Sequence, residues 1–375
     1  MNKICIYAIC KNEKQFVQKW LDSMQEADVI CVLDTGSTDG TFELLQEEAA
    51  KRRNQVEIIV EQKEIKPWRF DVARNESMKL IPDYVDFCIC TDLDEILTAG
   101  WSNEFKRLLE ENPNLEKIYY KYAWSHNEDG TPGRVFWYDK THKNNGKWYW
   151  RHPVHEILTP SYDYANDKVF YADEKVIWLH HYPDQTKSRA SYLPLLELRA
   201  EEDNNDDYYG LIYLAHEYFY RGMPQKCIDL ILNKLIYRKD IDNICQADLF
   251  MFLGDSYCKL NNFKAAENWY KNGIDFAPNF RENYLRLANL CYELKRFEDC
   301  IEIVNKCLLK TTRLYSWLEK DTSWTYEPFD LLSLCYWELG LKEAALDYAY
   351  LAYQLDRDNK RLKGNYEFIR DAIYN

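Results

Sequence analysis

The stretch FCICTDLDEIL, residues 87–97, runs from an apolar tract straight into three carboxylates, Asp92, Asp94 and Glu95. Phe87, Ile89 and Thr91 alternate with Cys88 and Cys90, and no charge interrupts the run from Phe87 to Thr91. Such a run reads as a short strand buried on both faces, as in a parallel sheet. Three carboxylates at its end repel one another unless something cationic sits among them. Carboxylate oxygens are the ligands Mg2+ and Mn2+ prefer, and open α/β sheets bind ligands beyond the carboxyl ends of their strands. A solvated acidic loop is the bland alternative.

Outward from this stretch, the first half alternates strands and helices. ICIYAI (4–9), VICVLD (29–34) and VEIIVE (56–61) read as strands, and Phe16–Met24, Thr41–Arg53 and Phe70–Leu80 as helices. The alternation predicts a mostly parallel sheet with right-handed crossovers. From about residue 117 the chain becomes aromatic and irregular, with strand-like KIYYKYAW (117–124) and RVFWYD (134–139). EEDNNDD (201–207) is a candidate junction.

Beyond it the chain is helical and repetitive. Leu214, Leu253, Leu287 and Leu332 each begin a large–small–aromatic pattern, and a small residue follows 13 positions later: Cys227, Ala266, Cys300 and Ala345. This is the helix-pair signature of tetratricopeptide repeats, which expose a concave groove suited to peptides. The expected domains are therefore an α/β domain over 1–206 and an all-α repeat domain over 207–375, through which the chain could also form a homodimer.

Composition limits the partners. Apolar residues make up 46% of the 375 residues, enough for sizeable cores, and the formal charge is −14, which disfavours nucleic acid and anionic membranes. MNKICIYAIC is too short to span a bilayer and lacks a small-residue cleavage site, and no later run reaches 18 apolar residues. A soluble, cytoplasmic protein is expected. The 12 cysteines form no C-x-x-C pair and read as reduced core residues.

The chemistry gathers at the strand ends. LDTGSTDGT (33–41) carries Asp34, a glycine turn and helix-capping residues, but neither G-x-G-x-x-G nor G-K-[ST] occurs, so a dinucleotide fold and a P-loop do not fit. Arg74 suits bidentate contact with phosphate. WYWRHPVHEIL (148–158) holds Arg151, His152, His155 and Glu156; VIWLHHYP (176–183) holds His180 and His181.

AICKNE, VLDTGSTDGTFELL, FDVARNES and TDLDEIL, in that order, resemble the family 2 inverting glycosyltransferases of GT-A fold over about residues 1–182. With the repeats, the architecture is similar to bacterial peptide glycosyltransferases of the glycocin type. The resemblance implies a metal-dependent transfer of a sugar from a nucleotide sugar, a UDP-sugar foremost, to a peptide, protein or saccharide. It implies that Ala8, Glu13, Asp34, Arg74 and Asp92 line the nucleotide sugar. Asp92 and Asp94, the D-x-D pair, and a late histidine, His181 ahead of His180, would hold Mn2+ or Mg2+. Inversion requires a general base. The E-D pair common in the family is missing here, so Glu156 takes that place, with His155 behind it. A nucleotidyltransferase is a competing enzyme reading, but ICKNEKQ has no glycine to wrap a triphosphate. A non-catalytic repeat adaptor is the third.

Overall fold

The computed structural model describes residues 2–126, 130–161, 168–173, 175–184, 190–202, 208–314, 316 and 318–374. Most of the candidate junction, residues 203–207, lies outside them. The chain divides into two units, Met1–Arg199 and Ala200–Asn375.

In the first unit, β1 (Ile4–Cys10), β2 (Val29–Asp34), β3 (Glu57–Gln62) and β4 (Phe87–Cys90) form a sheet in the order β3-β2-β1-β4, every pair parallel. Helices α1 (Lys14–Met24), α2 (Thr41–Arg52) and α3 (Phe70–Met78) provide the crossovers. The apolar alternation of FCIC maps onto two cores. Phe87 and Ile89 join Trp20, Trp101 and Phe105 on one face. Cys88 and Cys90 join Tyr7, Trp148 and Trp150 on the other. Strand β1 lies between β2 and β4, so the chain leaves it in opposite directions. A crevice opens at the carboxyl ends of strands at such a point. On the outer strand β3, Ile58, Ile59 and Val60 are half-buried between exposed Glu57 and Glu61.

The remaining strands depart from an all-parallel expectation. β5 (Glu95–Leu97) follows β4 at once, then α4 (Trp101–Glu111), β6 (Lys117–Ala123), β7 (Val135–Tyr138) and β8 (Thr141–Lys143). β8 closes the first sheet antiparallel to β4. β9 (Trp148–Arg151) and β10 (Ile157–Pro160) form an antiparallel pair, and β11 (Val169–Tyr171) and β12 (Trp178–His181) enter a second sheet ordered β11-β6-β12-β5, with β7 on β6. The first unit is thus an α/β region with mixed sheets. The division between the two units falls within α5 (Tyr192–Glu202).

The second unit is all helical. Its pairs are α6 (Tyr208–Tyr220) with α7 (Pro224–Leu230), α8 (Asn243–Lys259) with α9 (Phe263–Phe276), and α10 (Arg281–Glu293) with α11 (Phe297–Lys310). A single turn, α12 (Asp321–Trp324), precedes α13 (Glu327–Glu338) with α14 (Lys342–Leu355), and α15 (Lys360–Tyr374) follows. The small residues of the repeat pattern, Cys227, Ala266, Cys300 and Ala345, all sit on the second helix of their pair with no exposed surface. A larger side chain there would hold the two helices apart, which is why the offset recurs. Close approach also explains Gly273 on α9: a Cβ there would fall 2.5 Å from the Asn283 side chain on α10. Asp242 accepts from the Ile244 and Cys245 amides and caps α8. No described helix is long and apolar enough to cross a membrane.

Candidate functional site

The carboxyl end of β4 delivers Asp92 and Asp94 on either side of buried Leu93. The turn between them is pinned from below. Glu95 Oε2 accepts from the Asp92 amide at 2.8 Å, and Tyr122 Oη donates to Glu95 Oε1 at 2.9 Å. Burial, with the negative charges of Asp92 and Asp94 nearby, pushes the Glu95 carboxyl up to about 7 despite the Lys140 ammonium.

Asp92 faces cations. Arg74 Nη2 donates to both its oxygens, at 2.9 and 3.2 Å, and Lys140 Nζ lies 3.3 Å from Oδ2. Burial alone would raise this carboxyl, but the Arg74 and Lys140 charges hold it well below the usual carboxylate range. Arg74 itself is enclosed. Its Nε donates to Glu156, its Nη1 approaches Cys90 Sγ at 3.1 Å, and its guanidinium lies 5.1 Å from the Trp150 ring centroid. An arginine so committed is a strut beneath Asp92.

Asp94 faces the other way. β12 runs antiparallel to β5 with His181 opposite Glu95, and the Tyr182 amide donates to the Asp94 carbonyl. This register brings His181 Nε2 within 3.4 Å of Asp94 Oδ2, across 87 positions of sequence. The Nδ1 of His181 is 3.2 Å from the Trp124 carbonyl oxygen, to which it donates. That contact turns Nε2 toward Asp94. His180, the other candidate, instead places Nδ1 2.9 Å from His126 Nε2.

Among the described residues, no three His, Cys, Asp or Glu side chains form a metal-holding group. Of the expected trio, Asp92 is neutralised by Arg74 and Lys140, while Asp94 and His181 make a two-ligand corner. An oxygen and an imidazole nitrogen suit a cation that keeps waters and takes phosphate oxygens as its other ligands.

The other expected residues divide. Ala8 has no exposed surface inside β1, and Asp34 is equally enclosed. Asp34 Oδ1 accepts from the Gly36 and Ser37 amides and from Gln62, so it organises the loop after β2 rather than presenting its carboxylate. Those bonds lower its carboxyl below the ordinary value in spite of burial. Glu13 stands at the entrance to α1, its amide donating to Thr41 Oγ1.

Glu156 comes from the turn between β9 and β10. That turn is held at several points: Asn75 exchanges two bonds with the Trp150 backbone, the Phe70 amide donates to the Pro153 carbonyl, and Arg199 Nη1 donates to the Val154 and His155 carbonyls. His152 and His155 adopt positive φ, 79° and 49°, an uncommon backbone state for such residues. The turn delivers the Glu156 carboxylate to Arg74 with only 9% of that side chain exposed. The carboxylate expected as general base is thus paired with Arg74. The His155 side chain is exposed and packs edge-on to Tyr192, with ring centroids 5.9 Å apart.

Sequence reasoning named Glu95 only as one of three clustered carboxylates, and it missed Lys140, Tyr122 and Arg199 as parts of this site. Only Glu95, inside TDLDE, carried a signal. Beside the corner, Trp124, Ser125, His126, His181, Tyr182 and Pro183 line an open cavity of about 390 Å3.

Residues 247–280 match the tetratricopeptide repeat family, so the helical unit contains TPR-like repeats. No curated protein matches the chain. Among solved structures, MamA from Desulfovibrio magneticus RS-1 is 13% identical with a TM-score of 0.35, covering 43% of this chain and 82% of its own. A thermophilic TPR protein of Thermus thermophilus is 17% identical with a TM-score of 0.35, covering 47% and 88%. TarS of S. aureus is 16% identical with a TM-score of 0.43, covering 72% of this chain and 55% of its own.

Proposed function

We propose that the N-terminal unit is an inverting glycosyltransferase domain that takes a sugar from a nucleotide sugar, a UDP-sugar foremost, and passes it to a peptide, protein or saccharide. The observation that carries this reading is the pairing beyond the carboxyl end of β4, where the Asp94–His181 corner stands beside an Asp92 held by two cations. Asp94 and His181 would hold Mn2+ or Mg2+. Bound there, the cation would offset negative charge on the departing nucleoside diphosphate. Asp92, fixed by Arg74 and Lys140, would accept hydrogen bonds from donor hydroxyls. Glu156 keeps Arg74 in place. The proton of the acceptor then falls to an exposed group, and His155 on the same turn is our choice; a thiol acceptor, with a pKa near 8.5, needs such help least. The repeats would recognise the acceptor.

Thermal stabilisation by UDP with and without Mn2+ tests the reading. A ligand at 100 times its dissociation constant stabilises by roughly 2.7 kcal/mol. The parent should show such a Mn2+-dependent shift with UDP, and Asp94→Ala should lose both the shift and turnover. A protein that no nucleotide stabilises with either cation is not this enzyme.

A further inference from the structure

Lys140 belongs to no motif, yet it occupies the most consequential position beside the acidic turn. It lies directly before β8, the strand that closes the first sheet. Its carbonyl accepts from the Cys90 amide at 2.8 Å, so its backbone is tied to the last residue of β4. Its stem is enclosed, its ammonium sits 5.0 Å from the Tyr138 ring centroid, and Nζ reaches Asp92 Oδ2. Arg74 covers both oxygens of the same carboxylate from the other side. Asp92 and Asp94, two residues apart, are therefore treated differently. One carboxylate is saturated with built-in positive charge; the other is left with a histidine.

A divalent ion shared by the two aspartates would have to displace or tolerate an ammonium and a guanidinium at hydrogen-bond range of one ligand. Like charges at such distances repel strongly away from bulk water. We propose that Lys140 is a positioning residue that acts as a resident cation: it keeps Asp92 out of the coordination sphere of a metal held by Asp94 and His181, and so reserves Asp92 for the organic part of the donor. This rests on the metal-dependent reading above. Arg74 alone would not suffice, because its guanidinium is also bound to Glu156 and reaches Asp92 through a single nitrogen. Among the described residues, Lys140 hydrogen-bonds no carboxylate other than Asp92.

The test is Mn2+ binding to the full-length protein, read from the signal of free Mn2+ in electron paramagnetic resonance, without nucleotide and without turnover. Lys140→Met and Lys140→Gln both remove the charge, the second keeping a polar tip should the first fail to fold. Each should bind Mn2+ at least tenfold more tightly than the parent. The gain should vanish in Lys140→Met/Asp92→Asn and in Lys140→Gln/Asp92→Asn, because it passes through the freed carboxylate. Asp92→Asn alone should bind Mn2+ within about threefold of the parent, and Lys140→Arg should behave like the parent. A merely structural lysine would leave affinity unchanged or weaken it in both neutral variants, and either result overturns the proposal. So does a gain that persists without Asp92. The metal reading fails separately: if the parent binds no Mn2+ but a neutral variant does so through Asp92, the resident-cation role stands and the Asp94–His181 corner falls.

Discussion

Glu156→Gln separates two roles for one carboxylate. The variant keeps the shape and an acceptor oxygen but removes the charge facing Arg74. Both side chains are nearly enclosed, at 4% and 9% exposure, so solvent screening is slight. Losing a partner outright from a buried ion pair costs about 3–5 kcal/mol. Two features reduce that figure here. Gln still accepts from Arg74 Nε, and Arg74 retains Asp92 as a counter-charge. What is lost is the charge of one partner alone, since a bond from the ionised Arg74 to a Gln oxygen is still charge-assisted and worth roughly 1.5–3 kcal/mol. The expected destabilisation is about 1–2 kcal/mol. For a domain of this size that moves the melting temperature by about 2–8 °C. Scanning calorimetry of the whole chain reads it, together with the UDP dissociation constant, which should rise as Arg74 and Asp92 lose their fixed geometry. A variant with unchanged melting temperature and UDP affinity, but turnover lowered ~10²–10⁴-fold, would refute this reasoning and return Glu156 to the base role.

Two further outcomes follow from buried groups elsewhere. His142 is enclosed between Tyr7 and its own strand, and burial, with the Lys117 charge adding, pushes its imidazole down to about 4 from 6.5. The unfolded chain takes up the proton first, so stability is complete above about pH 6.5 and is lost as pH falls toward 4. At 1.36 kcal/mol per pH unit the loss is roughly 3 kcal/mol, and His142→Phe should flatten that part of the urea-midpoint profile; a parent profile already flat between pH 6.5 and 4 contradicts it. Gly273→Ala sets a methyl against Asn283 and should cost roughly 1–3 kcal/mol, lowering the calorimetric transition of the repeats while leaving that of the first unit in place; an unmoved transition means the helices can separate freely.

The parts of this molecule legible in sequence are those that repeat or alternate. The strands β1 to β4 announce themselves through short apolar runs, and the helix pairs through a small residue at a fixed offset, because each pattern is imposed by one local surface. The short strands β5, β8 and β11 span three residues each and carry no such pattern. Charge compensation is less legible still. Arg74 reads as a phosphate ligand until Glu156, 82 positions away, is seen to claim it. Asp92 and Asp94 look equivalent in TDLDE; the tertiary arrival of Arg74 and Lys140 on one and His181 on the other distinguishes them. Nothing in YDKTHK marks its first lysine, since the carboxylate that holds its ammonium, Asp92, lies 48 positions away.

The outer strand β3 has a bearing on solubility. A free sheet edge invites strand addition by a neighbouring molecule, and Ile58, Ile59 and Val60 would reward it. Glu57 and Glu61 bracket that apolar segment and are exposed. Any second β3 laid alongside in parallel register would set carboxylate against carboxylate at both ends of the segment, at a repulsive cost in each. The acidic brackets thus act as gatekeepers for the apolar segment at this edge of the sheet. The chain's overall negative charge adds a colloidal barrier of the same sign.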